Sequence, residues 1–166
     1  MPLYSLLSEL DRKVILFTYE KHDQHKISLP SGVMNEEYRA FIITEGEYIL
    51  WELEKRKLTE VEVVAHAWLV TSITNLSLVF NFKENNQLHI DNLFDDDQCD
   101  GHWQLEHGIL KVRFVYHNHG YDINIIANNN RSIHSALQIV DNKNVEFLKV
   151  APISDAKYGK ALEHKT

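Results

Sequence analysis

From Gly101 to Asn130 the chain reads GHWQLEHGILKVRFVYHNHGYDINIIANNN, and apolar and polar side chains alternate through much of it with a period of two. That period belongs to a strand with one buried face; an amphipathic helix repeats every ~3.6 residues. His107-Gly108 reads as a two-residue hairpin loop, which sets Glu106 opposite Ile109, Leu105 opposite Leu110 and Trp103 opposite Val112. Opposed residues share a sheet face. One face then carries Trp103, Leu105, Leu110, Val112, Phe114 and Tyr116, and the other His102, Gln104, Lys111 and Arg113. A one-residue slip would mix the two sets, so the clean sorting specifies the register.

A second hairpin follows. Pairing His117 with Asp122 places Tyr116 opposite Ile123, Phe114 opposite Ile125 and Val112 opposite Ala127, around a loop Asn118-His119-Gly120-Tyr121 or a tighter variant of it. Gly120 is expected to supply the positive φ of the turn. The tripeptide His117-Asn118-His119 therefore reads as a hairpin tip, not as the mark of a nuclease.

The same texture extends on both sides. Leu76–Phe82 and Gln87–Asp91 form a hairpin across KENN, and Ser132–Val140 and Val145–Ile153 form another across DNKN. Before residue 75 the pattern is mixed. Lys13–Pro30 reads as strand, turn, strand. The stretch EYRAFIITEGEYILWELEKRKL is either a hairpin turning at Glu45-Gly46-Glu47 or partly helical. In Thr59–Val70, Thr59 and Glu62 fit a capping box and favour a helix, whereas three valines in four residues favour a strand. The fold expected is mainly β, possibly α+β: an antiparallel meander curled into a barrel or half-barrel, with one or two helices from residues 35–75. Residues 1–166 form one domain, with a less regular half at 1–75, the meander at 76–153 and a polar tail at 154–166, frayed or a short helix.

The net charge of −7 opposes a nucleic-acid partner, because neutralising phosphates needs a basic face. No apolar run approaches the ~18 residues of a membrane span, and the start MPLYSLLSELDRKV lacks the basic and apolar parts of a secretion signal. A soluble, cytoplasmic protein is expected. The single cysteine, Cys99, excludes an intrachain disulfide.

No catalytic constellation is readable: there is no nucleophile elbow, phosphate-binding loop, dinucleotide fingerprint or zinc cysteine pair. No cofactor or metal is expected. His117 and His119 are spaced as strand ligands can be, but nothing places a third ligand beside them. Asp96, Gln98, Asp100 and Gly101 imitate the start of a calcium loop, yet His107 stands where the bidentate Glu belongs. Acidic neighbours should hold Cys99 as a protonated thiol, a poor nucleophile.

The stretch FNFKENNQLHIDNLFDDDQCDGHWQLEHGILKVRF, followed by YDINII, resembles the strand rhythm of lipocalin-like calycin barrels, in which a Trp-bearing strand, a tight hairpin and a Gly-Xaa-Leu-Xaa-Val strand follow one another. The resemblance covers about residues 76–150. The Gly-Xaa-Trp signature of lipocalins is missing near the N-terminus, where RKVILF stands. What the resemblance implies is a cup-shaped β-structure able to take a small apolar molecule.

The aromatic face is either solid core or the wall of a ligand cavity. As a cavity it would be lined by Trp103, Phe114 and Tyr116, with Arg131 and His134 adding polar contacts. Two alternatives stand beside this small-molecule reading: an acidic module that binds or inhibits a protein partner, and an enzyme on a cone-shaped α+β barrel of the NTF2-like kind.

Overall fold

The structure is a computed structural model, described here over residues 7–21, 36–72, 76–129 and 132–153. Four helices are present among these residues: α1 (Glu9–Lys21), α2 (Glu36–Ile43), α3 (Gly46–Leu53) and α4 (Glu60–Ala65). The strands are β1 (Lys55–Arg56), β2 (Ala67–Ser72), β3 (Ser77–Phe82), β4 (Gln87–Asn92), β5 (Gln98–Glu106), β6 (Ile109–Tyr116), β7 (His119–Asn128), β8 (His134–Val140) and β9 (Asn144–Ile153). From β2 to β9 each strand pairs antiparallel with the next, and β9 returns to pair with β2. The result is a closed eight-stranded meander barrel, which leaves none of these strands as an edge. The two-residue β1 clips onto the end of β7.

The first hairpin has the expected register, Glu106 to Ile109, Leu105 to Leu110 and Trp103 to Val112. Its turn residues His107 and Gly108 take φ of 54° and 77°, as a type I′ turn requires. The second hairpin differs. Its turn is His117-Asn118, with φ of 50° and 65°, so Tyr116 faces His119, Phe114 faces Tyr121 and Leu110 faces Ile125. Asparagine and histidine tolerate positive φ, so Gly120 is not needed there and lies in β7 instead. Each residue of β6 has a partner four positions from the expected one. An even shift keeps every side chain on its face, so Trp103, Phe114, Ile123 and Ile125 still line one inner wall. The other hairpins fall close to expectation, although β8 begins at His134 and not at Ser132.

The N-terminal half is more helical than expected. Glu9–Lys21 is one helix, overturning a strand at Lys13; residues 22–30 of that reading lie outside the described residues, as does the tail at 154–166. The deciding signal is a reciprocal cap: the Ser8 hydroxyl accepts the Asp11 N–H at 3.0 Å and the Asp11 carboxylate accepts the Ser8 N–H at 2.9 Å. Ser8→Ala is expected to lower stability by about 1 kcal/mol, seen as a fall of about 2–4 °C in thermal midpoint. The turn at Thr44-Glu45 separates two helices, not two strands. In Thr59–Val70 the cap prevails: Thr59 caps α4, accepting the Glu62 N–H at 3.3 Å, and the three valines that favoured a strand lie inside that helix, while β2 begins only at Ala67.

Two cores follow. The barrel interior is filled by Trp68, Phe80, Phe82, Leu88, Trp103, Phe114 and the aliphatic residues between them. Outside it, α1 and α3 lay Val14, Phe17, Tyr48 and Trp51 over Ile109 of β6 and Ile126 of β7, while Ile15 packs on Leu137 and Ile139 of β8. Strands β7 and β8 are thus covered on both faces, which explains why INIIA and SALQIV are nearly continuous in apolar residues.

Candidate functional site

The barrel has two unlike ends. At one, α4 and the segment before it plug the interior: Leu58 and Val63 join the core, the Leu58 N–H reaches the Gly108 carbonyl at 3.0 Å, and the Trp68 indole donates to the Val63 carbonyl at 2.9 Å. No helix among the described residues covers the other end, where the β4–β5, β6–β7 and β8–β9 turns meet.

The inward register of β6, β7, β8 and β9 changes character toward that second end. Phe114 stacks on Tyr121 with centroids 4.7 Å apart and planes within 4°. Tyr116 lies 6.5 Å from Tyr121 and takes a hydrogen bond from the Asn92 amide at 3.1 Å while donating to Asp97 at 3.3 Å. Burial, then Asp141 and Glu146, push the Tyr121 phenol above its ordinary pKa, so it stays protonated and able to donate.

Beside these rings stands Gln138. It alternates with His134 and Ala136 on β8, faces Ile123 across the β7 pairing and Glu146 across the β9 pairing, and is 1% exposed. Its amide donates to the Glu146 carboxylate at 3.2 Å, but its carbonyl oxygen, Oε1, has no hydrogen-bond partner. A buried acceptor left unmatched is uncommon and destabilises the fold by about 1–3 kcal/mol.

The residues expected to line a cavity are not brought to one place. Phe114 and Tyr116 meet at the uncovered end through Tyr121. Trp103 is deeper; its indole N–H goes to the Lys83 and Gln87 carbonyls at 2.9 and 3.1 Å, and its ring meets Phe82 edge-on. His134 belongs to the plugged end, where Nδ1 accepts the Asn128 N–H at 3.0 Å and the ring lies 5.8 Å from Trp68. Burial, followed by the nearby Arg56 charge, lowers the His134 pKa and keeps the imidazole neutral. Arg131 lies outside the described residues. Tyr121 and Gln138 went unread: the first follows from the tight turn, the second from a polar residue at an inward position of SIHSALQIV.

The turn histidines diverge. His117 pairs with Asp97 at 3.0 Å and His119 pairs with Asp141. Among the described residues no three His, Cys, Asp or Glu side chains are placed to hold one metal ion. The Cys99 thiol is pushed up to about 11 by burial and by Asp100 and Asp91.

Two clefts of about 450 Å³ each lie on the outer wall and share His102, Arg113 and Asp122. The charges that line them are already matched. Arg12 and Asp122, both nearly buried, pair at 3.2 Å on the floor, and Lys111 pairs with Glu9 and Glu106. The unmatched acceptor of Gln138, not either cleft, marks the better candidate.

No family model, no curated protein and no solved structure matches this chain, so the likeness to calycin barrels stands on architecture alone.

Proposed function

We propose that this barrel binds a small, mostly apolar molecule at the end opposite α4, in the manner of a lipocalin-like carrier. The ligand's flat apolar body would contact Tyr116, Tyr121 and Phe114, and a hydrogen-bond donor on it would meet Oε1 of Gln138. One observation carries the reading: a glutamine carbonyl oxygen buried on the inner wall of the barrel with no hydrogen-bond partner. A ligand donor would satisfy it and recover the desolvation penalty. Glu146, joined to the same amide, holds Gln138 in that orientation. Trp103, by contrast, would shape the site from beneath without touching the ligand's polar group. His134, which belongs to the plugged end, falls outside this form of the site, and Arg131 lies outside the described residues.

The acidic rim, with Asp95, Asp97 and Glu146 at or near it, disfavours anionic ligands. A neutral probe with an N–H, N-phenyl-1-naphthylamine, is therefore the suitable reporter. It is expected to bind with a blue-shifted, enhanced emission. Gln138→Leu is expected to weaken that binding about tenfold, the loss of one buried hydrogen bond. The same substitution should change the thermal midpoint little, because removing the unsatisfied acceptor offsets the lost hydrogen bond to Glu146, whose half-buried carboxylate water can reach. Tyr116→Ala should also weaken binding. If the probe fails to bind, or binds Gln138→Leu as well as the native protein, the proposal is wrong.

A further inference from the structure

Helix α3 is apolar on two sides. Tyr48 and Trp51, three residues apart, face the barrel and are buried. Ile49, Leu50 and Leu53 occupy the opposite stripe, and Leu50 and Leu53 are 63% and 69% exposed. The preceding helix repeats the pattern: Ile42 turns inward, while Phe41, 61% exposed, and Tyr38 turn outward. Single exposed leucines are ordinary; five large apolar side chains on the outer faces of two consecutive short helices are not. Nothing in the needs of α3 as a helix calls for them, because glutamate or lysine would serve equally well at exposed positions.

The surrounding charge says what could cover them. Residues 36–54 contain six glutamates, at positions 36, 37, 45, 47, 52 and 54, against the single cation Arg39. That cation is engaged with Asp11 at 2.6 Å and with Glu36. On the helical wheel Glu52 borders the leucine stripe on one side and Glu47 on the other. An apolar strip between carboxylates complements an amphipathic segment whose apolar face is bordered by Lys or Arg. A second copy of this chain would set glutamates against glutamates, and an anionic lipid surface would be repelled by them.

We infer that the outer face of the α2–α3 hairpin is a docking surface for a basic amphipathic helix of a partner protein, with Leu50 and Leu53 as its central apolar contacts and Glu47 and Glu52 as its charged border. This surface is on the outside of the barrel and is independent of the proposed ligand site. Leu50 and Leu53 would be the residues whose truncation matters, and the glutamates would govern the association rate and its salt dependence.

The test uses a fluorescein-labelled amphipathic peptide with leucine on one face and lysine on the other, titrated with the whole protein and read by fluorescence anisotropy. A peptide with the same leucines and glutamate in place of lysine serves as control. The lysine peptide should bind, and binding should weaken on going from about 0.02 M to 0.3 M salt. The glutamate peptide should not bind. Leu50→Ser/Leu53→Ser, which alters no charge and no buried side chain, should weaken binding about tenfold. Glu47→Gln/Glu52→Gln should weaken it and flatten the salt dependence. Binding of the lysine peptide to the serine variant with native affinity would overturn the inference, since attachment would then be general attraction to an acidic protein. Self-association in sedimentation equilibrium that the serine variant abolishes, capture by neutral vesicles through the same leucines, or no peptide binding at all would each overturn it too.

Discussion

Lys55→Met is expected to lower folding stability by about 3–5 kcal/mol at neutral pH, the loss typical of removing one partner from a buried ion pair. Lys55 is the first residue of β1, where the chain leaves α3 and clips onto β7 beside Asn128. Its ammonium reaches Glu20 of α1 at 3.2 Å, also donates to the Asn128 side chain, and lies 4.7 Å from the centre of the Trp51 ring. The side chains of Lys55 and Glu20 are only 9% and 15% exposed. Trp51 donates its indole N–H to the same Glu20 oxygen at 2.6 Å. Helices α1 and α3 are therefore tied to the barrel through one carboxylate. Removing the ammonium strands that carboxylate in a site that water does not readily enter.

The pH dependence separates this cause from a simple packing defect. In the native protein burial pushes the Glu20 pKa up, but hydrogen bonds from Ser135, Trp51 and Lys55, together with the Lys55 charge, outweigh it, and the net direction is down. The Ser135 contact counts for less than the other two, because the remaining oxygen, Oε1, forms no well-shaped hydrogen bond. Burial also lowers the Lys55 pKa, more than Glu20 raises it, so the two partners do not benefit equally. Two directed donors, Trp51 and Lys55, hold the Glu20 carboxylate in its charged form. A carboxylate depressed on folding adds stability that is complete above its unfolded value, roughly pH 4–5, and is lost as pH falls through the folded value. In Lys55→Met the burial effect gains weight and the carboxylate tends to protonate within the fold. The gap between variant and native protein should therefore narrow on acidification. Urea denaturation at neutral pH and at about pH 4 checks this. A loss below about 1 kcal/mol, or a gap that ignores pH, would count against it. Glu20→Gln/Lys55→Met should recover part of the loss, because no charge is then left alone.

The barrel was legible because its strands alternate and its turns are short. Trp103-to-Val112 pairing followed from two turn residues and the sorting of side chains, and the inner wall survived a wrong partner assignment in the second hairpin because the error was even in residues. Helix α1 was missed for a different reason. Val14, Ile15, Leu16 and Phe17 are all buried, since α1 packs on the barrel wall and against residues of α2 and α3, and a helix covered on several sides has no clean 3.6-residue stripe. Its start was nonetheless written in Ser8 and Asp11. The candidate site was half legible. Phe114 and Tyr116 sit at the end of an aromatic run, but whether His134 lies near them depends on which way β8 runs in the closed barrel. That direction places His134 at the plugged end, and no local pattern reports it.

Gly101→Ala should be the most damaging conservative change in the barrel wall, at about 3 kcal/mol, or a fall of about 6–12 °C in thermal midpoint. Gly101 lies on the inner face of β5 opposite Phe114 of β6. A β-carbon there would stand 2.6 Å from the Arg113 carbonyl oxygen and 2.8 Å from the Phe114 β-carbon. Glycine within a strand commonly marks such a close backbone approach at a barrel bend. Neither obstacle can rotate away: one is backbone and the other is the first atom of a side chain. Shortening Phe114 to alanine leaves both in place, so Phe114→Ala should fail to rescue Gly101→Ala. An ordinary overpacked core would be relieved by that second change. Relief is possible only if the two strands part, which would disturb the Trp103 indole two residues along β5 and shift its fluorescence to the red. Gly46→Ala is the matching control, because a β-carbon at that first residue of α3 meets nothing within 4 Å. It should be neutral or stabilising by up to about 1 kcal/mol. Equal midpoints for the two alanine variants, or full recovery on truncating Phe114, would show that β5 and β6 do not approach each other at Gly101 as closely as described.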